Sequence, residues 1–116
     1  MSCQQLDDTD ILKVVEPMMD DIMLGIRRRD YALHSRHFSV NLKSRIDAEN
    51  FLKACDEQEA DWGSSGERIL VCVFRKEKSF TVIWEQRFSH SPGQVLAMVT
   101  VALKGGRYFV DYFLLH

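Results

Sequence analysis

The sequence predicts a single α+β domain, with helices first and an antiparallel sheet last. Two observations carry this prediction. Apolar residues recur at helical spacing up to about Gly63 and at strand spacing beyond it. The charge changes at the same seam: residues 1–66 hold 13 acids and 8 bases, a balance of -5, and residues 67–116 hold 4 acids and 7 bases, a balance of +3. A length of 116 residues suits one domain with its own core, and residues 1–116 contain no repeat, low-complexity run or long linker.

The first helix is read from Ile11, Val15, Met19, Ile22 and Ile26, which recur at steps of three and four. Leu12, Met18 and Met23 widen that face. Thr9 or Asp10 is the expected N-cap, because a short side-chain oxygen can accept a free amide proton of the first turn. Pro17 removes one backbone donor, so a kink or a late start is expected near it. Arg27, Arg28 and Arg29 stand where positive charge meets the negative end of the helix dipole.

Asp30 is expected to cap a short second helix, Tyr31 to about His37, with Phe38 and Leu42 turned inward beyond it. Asp47 is expected to cap a third, Ala48 to about Gln58, with Phe51, Leu52 and Cys55 on its apolar face. The cluster from Asp61 to Gly66 reads as a turn. Four strands follow: Arg68–Arg75, Phe80–Phe88, Gln94–Lys104 and Arg107–Leu115. Phe80, Val82, Trp84 and Phe88 share one face of the second, opposite Thr81, Glu85 and Arg87. Gly105-Gly106 marks a tight hairpin between the last two. Helices segregated to one face of such a sheet make an α+β domain.

Composition excludes several functions. Hydrophobic residues make up 46% and charged residues 28%, as in an ordinary globular domain. A net charge of -2 argues against a basic nucleic-acid binder, and no apolar run approaches a membrane span. The start of the chain lacks a basic segment followed by an apolar one, so no secretory signal is read there. Cys3, Cys55 and Cys72 are odd in number and none has C-x-x-C spacing, which suits a reduced, cytoplasmic setting. Cys72 reads as a small buried hydrophobe. No phosphate loop, G-x-G-x-x-G, H-E-x-x-H or G-x-S-x-G occurs, and no cofactor or metal is expected.

The order of elements and the junction Ile26-Arg27-Arg28-Arg29-Asp30-Tyr31-Ala32-Leu33-His34-Ser35-Arg36-His37-Phe38-Ser39 resemble the nuclear transport factor 2-like superfamily. In that superfamily an acid-aromatic pair opens a short helix after a long first one. The likeness extends over nearly the whole chain. It implies a cone-shaped roll, a curved sheet wrapped on the long N-terminal helix, a pocket inside the cone and often a homodimer formed through the sheet. The superfamily includes isomerases, dehydratases, polyketide cyclases and transport adaptors, and shared fold does not choose among them.

Asp111 is the most unusual residue, an acid in the apolar strand Tyr108-Phe109-Val110-Asp111-Tyr112-Phe113-Leu114-Leu115. Buried, its pKa would rise, as suits a general base; at an edge, or paired with a base such as Arg87, it would be structural. Asp111 and Tyr112 are strand neighbours, so both enter one pocket only if a bulge intervenes. His34 and His37, three residues apart, have no third metal ligand placed by spacing, and partly buried or surface histidines are the plainer reading. Arg27, Arg28, Arg29 and Arg36 read as a helix end balanced by Asp20, Asp21 and Asp30 rather than an anion site.

Met19, Met23, Trp84, Phe88, Tyr108 and Tyr112 are the candidate pocket lining for a small apolar molecule. The last two strands are apolar on both faces, and helices can cover only one. Leu96, Met98, Phe109, Phe113 and Leu115 are therefore the expected homodimer face. The reading is a ligand-binding or assembly domain, probed against a small isomerase, dehydratase or cyclase with Asp111 as base.

Overall fold

Asp7 opens the first helix. A computed structural model, which describes residues 2–116, places α1 at Asp8–Arg28. Asp7 accepts from the amide of Asp10, and the Asp10 carboxylate accepts from the amide of Asp7, a reciprocal capping box. The cap thus lies two residues before Thr9, and Asp10 is its third-turn-residue partner, not the cap itself. The helix is continuous across Pro17, which is exposed. The missing hydrogen bond is offset by the stripe on either side of it: Ile11, Val15, Met18, Met19, Ile22 and Met23 are all buried. α1 ends at Arg29 in the left-handed region (φ 52°), and Arg29 turns to pair with Asp56 and Glu59.

Asp30 caps α2 (Tyr31–His34) as expected, although the helix stops three residues earlier than His37. A further helix, α3 (Val40–Arg45), follows; its six residues expose Val40 and bury only Leu42, too short a pattern to read as a helix from periodicity. Asp47 caps α4 (Ala48–Trp62), which runs on through Asp61 and Trp62. Phe51 and Cys55 are buried there, but Leu52 points outward.

The sheet is a meander, β1 (Ser65–Arg75), β2 (Ser79–Phe88), β3 (Val95–Lys104) and β4 (Arg107–Leu115), in the order β1-β2-β3-β4 with every pair antiparallel. Gly105 and Gly106 both have positive φ (58° and 75°), the geometry that a tight turn between β3 and β4 demands. Phe80, Val82, Trp84 and Gln86 on β2 lie beside Val101, Val99, Ala97 and Val95 on β3, and these eight side chains are buried on the inner face. They meet the α1 stripe, with Val110 of β4 and Phe38, to form the core. Gln86 is the polar exception, its amide donating to the carbonyls of Gly66 and Glu67 at the irregular start of β1.

Two bulges change which side chains face inward. On β1 the register slips at Val71, between the pairs Leu70–Trp84 and Cys72–Ile83. Cys72 sits beside Ile83, away from the core, and is only half-buried. On β4 Tyr112 pairs with Thr100 and Val110 with Val101, so Asp111 is the extra residue. Beyond it the parity reverses. Phe113 and Leu115 pair with Val99 and Ala97 and pack on the core side, so they are not outer-face residues. Tyr112 and Leu114 take the outward positions, beside Thr100 and Met98.

The α1–α2 corner is tight. A Cβ on Gly25 would fall 2.5 Å from the backbone nitrogen of His34, closer than real contacts allow. Gly25→Ala is expected to destabilise the protein by about 1–3 kcal/mol, the usual range for overpacking, measured as the shift in a urea unfolding midpoint. An unchanged midpoint would mean that α2 backs away freely and that the close approach is not a constraint.

Candidate functional site

A cavity of about 350 Å3 opens where the end of α1, α2, α3 and α4 face the last residues of β4. Ile26, Ile46, Phe51, Phe113 and Leu115 supply apolar walls, Ala54 and Cys55 line the α4 side, and Arg45, Asn50 and Gln58 stand around it. Phe51 and Cys55 reach it because they are four apart on α4, on its buried stripe. Phe113 and Leu115 reach it because of the bulge at Asp111.

His34 is the buried polar side chain of the cavity, 3% exposed. Its Nδ1 lies 2.9 Å from the carbonyl oxygen of Ile22, which can only accept, so Nδ1 carries a proton. The ring is held among Phe51, Phe38 and Phe113, with centroid distances of 4.5, 5.1 and 5.7 Å. Burial lowers its pKa from the usual imidazole value, an effect only partly opposed by the Ile22 bond. Burial also raises the pKa of the Cys55 thiol, which stays protonated and is a poor nucleophile at neutral pH.

The six expected pocket residues are elsewhere. Met19, Met23 and Trp84 are core filling, and the Trp84 indole nitrogen donates to Glu16 at 2.9 Å. Phe88 packs on Trp62 and Tyr108 on Phe80. Tyr112 is 41% exposed on the outer side of the sheet. None of the six lines the cavity. The physical reason is that the α1 stripe packs on the inner face of the sheet and takes these side chains, Tyr112 apart, into or against the core, while this cavity lies beyond the end of α1.

Asp111 is also outside the lining. Its carboxylate accepts from Ser39 Oγ at 2.6 Å and from Lys104 Nζ at 3.3 Å, and Arg87 pairs instead with Glu85. The Ser39 hydrogen bond, with smaller help from Lys104, lowers the Asp111 pKa against the opposing effect of burial. The raised pKa expected of a general base is therefore reversed. His34 and His37 diverge, since His37 Nε2 meets Asp21 at 2.7 Å. Among the described residues no cluster of three or more His, Cys, Asp or Glu could hold a metal. Arg36 pairs with Asp21 as well, and among the described residues no helix is long and apolar enough to cross a membrane.

The layout of helices, meander and end cavity can be compared with known proteins. An NTF2-like protein of unknown function from Shewanella baltica matches over 97% of each chain, with a TM-score of 0.62 and 9% sequence identity. The fold is NTF2-like. No protein-family model and no curated protein matches the sequence. In this chain the cavity lies beyond the end of α1, where α4 and the last residues of β4 form its walls. The sequence singles out His34 only for its spacing from His37 and suggests a partly buried or surface side chain, whereas it is buried: the β4 bulge and the fold of α4 over α2 bring Phe113 and Phe51 to its ring.

Asp111 should act as a structural anion. Its folded pKa lies below the unfolded value, so its contribution is present above about 3.9, the ordinary aspartate value, and is lost as pH falls through the folded value. Asp111→Asn should lower the melting temperature at pH 7, and the difference from the parent should shrink as pH drops below about 4. A pH-independent difference would assign the effect to shape rather than charge.

Proposed function

We propose that this protein is a ligand-binding domain that takes a small apolar molecule in the cavity between α4 and β4, and that it works as a homodimer. The cavity carries the reading. At about 350 Å3 it lies in the range of small-molecule sites, its walls are largely apolar, and one buried polar group faces into it.

Ala54 is small and exposed on the α4 wall, so Ala54→Trp should fill the space without disturbing the core. A panel of one- and two-ring apolar molecules should raise the melting temperature of the parent and shift amide resonances of Phe51, Ala54 and Leu115. The variant should lose both responses. A panel with no effect on the parent would remove the reading.

The homodimer rests on the outer sheet face. The molecule is only 17 Å along its shortest axis, one layer of helices on one sheet. On the uncovered side lie Val71 (62% exposed), Phe74 (58%), Leu96 (36%) and Tyr112, with Ile83, Met98 and Phe109 partly buried among them. Leu96, Met98 and Phe109 share this face with Val71, Phe74 and Tyr112, whereas Phe113 and Leu115 lie on the core side. Thr81 and Thr100 hydrogen-bond to each other at 2.8 Å on this face, so the polar groups there are already paired. A two-fold axis through such a patch covers it with itself. Sedimentation at low micromolar concentration should give a dimer, and Leu96→Arg a folded monomer. A parent that sediments as a monomer would dismiss the assembly and leave the cavity reading untouched.

An isomerase or dehydratase is the second reading. The observation that favours it is the unprotonated Nε2 of a neutral His34, a group able to take a proton from a bound molecule. In that case His34, and not Asp111, is the base.

A further inference from the structure

His34 also says what kind of molecule the cavity selects; this step rests on the cavity being a ligand site. Because Nδ1 is tied to the Ile22 carbonyl at 2.9 Å, the neutral ring has its lone pair on Nε2. Among the described residues no protein group hydrogen-bonds to Nε2. Phe38, Phe51 and Phe113 pack around the imidazole, and the Ile22 hydrogen bond holds its orientation. Among the described residues the cavity lining holds no carboxylate that would favour an imidazolium. The groups around it work the other way or are neutral: Arg45 at the end of α3 is a cation, Cys55 on α4 is a protonated thiol, and α1 and β4 present Ile26, Phe113 and Leu115.

A buried acceptor left unpaired when water is displaced costs binding energy. A purely apolar ligand would desolvate Nε2 and give nothing back. A ligand with an O–H or N–H at the right end would satisfy it. The rings of Phe51 and Phe113 favour a flat, aromatic body. A dry cavity of about 150 Å3 holds benzene, so one of about 350 Å3 has room for two fused rings. We propose that the cavity selects a small aromatic molecule bearing a hydroxyl or N–H group, which donates a hydrogen bond to Nε2 of His34.

The test uses the full chain and a matched pair, 2-naphthol and naphthalene, titrated by calorimetry or by amide shifts. 2-Naphthol should bind about tenfold tighter or more, the worth of one satisfied buried acceptor. His34→Phe keeps a flat ring and removes the lone pair, and it should erase that advantage. Since this variant also loses the Ile22 bond, the parent supplies an independent readout. With ring-labelled histidine, the Nε2 nitrogen resonance of His34 should move on adding 2-naphthol and stay in place with naphthalene.

Equal affinities for the two probes, both blocked by Ala54→Trp, would overturn the selection of a donor while leaving the cavity a ligand site. An advantage of 2-naphthol that survives in a folded His34→Phe, or an Nε2 resonance that does not move, would overturn it as well. Failure of both probes to bind would take down this proposal together with the ligand-site reading.

Discussion

The structure depends on burying the α1 stripe against the inner face of the sheet. Ile11, Val15, Met19 and Ile22 are fully buried there, as are Phe80, Val82, Val99, Val101 and Val110. Each large side chain taken out of water contributes on the order of 1.5–3 kcal/mol, far more than any polar contact at the rim. The polar contacts decide orientation. Arg68 and Arg75 on β1 pair with Glu16, Asp20 and Asp8 on α1, and Glu16 also accepts from the Trp84 indole. Two bases of the strand half thus meet three acids of the helical half across one interface. Arg68 is 15% exposed, but Glu16 and Asp20 are 39% and 67% exposed, so solvent still screens these pairs.

Where α1 ends then determines what the rest can be. Gly25 lets the backbone of His34 approach, so α2 folds back on the last turn of α1 and brings its histidine to the Ile22 carbonyl. Arg29 leaves the helix in a left-handed conformation and reaches α4 through Asp56 and Glu59. α4 therefore stands over α2 but past the end of α1, and no helix fills the volume between it and β4. The core and the cavity share one sheet: where α1 covers it there is close packing, and beyond α1 there is space.

Much of this was legible in the sequence because it depends on periodicity. The long amphipathic helix, the caps Asp30 and Asp47, the four strands and the Gly105-Gly106 turn follow from local chemistry that acts the same way in any context. The site was not legible, for a different reason. Trp84, Met19 and Met23 have the composition of a pocket, yet a residue type that fits a pocket fits a core equally well, and only the length of α1 relative to the sheet decides between them. α3 was hidden by its shortness. Gln86 looks polar enough for the outer face, but its Nε2 donates to the carbonyls of Gly66, Glu67 and Arg87, which holds it inside even though its Oε1 has no partner among the described residues.

The β4 bulge is the point at which one residue alters both faces of the molecule. A strand has an exact period of two, so a single extra residue exchanges inside for outside along everything that follows. Without the bulge, Tyr112 and Leu114 would continue the inward row of Tyr108 and Val110, and Phe113 and Leu115 would face out. With it, Phe113 swings in to the His34 ring and Leu115 to the α4 wall, while Tyr112 joins Leu96 and Met98 outside. The bulge is held from the flank. Ser39 caps α3 through its Oγ, donates from that same oxygen to Asp111, and donates its backbone amide to the Val110 carbonyl. The segment His37–Ser39 thereby also covers the free edge of β4, with the Val110 amide given to the His37 carbonyl. From the sequence alone, an acid placed in an apolar strand can be read as a general base or as a structural, paired acid. Its position at the one unpaired residue of β4, held by a serine and a lysine, accounts for it as the peg that keeps the bulge, and hence the cavity wall, in register.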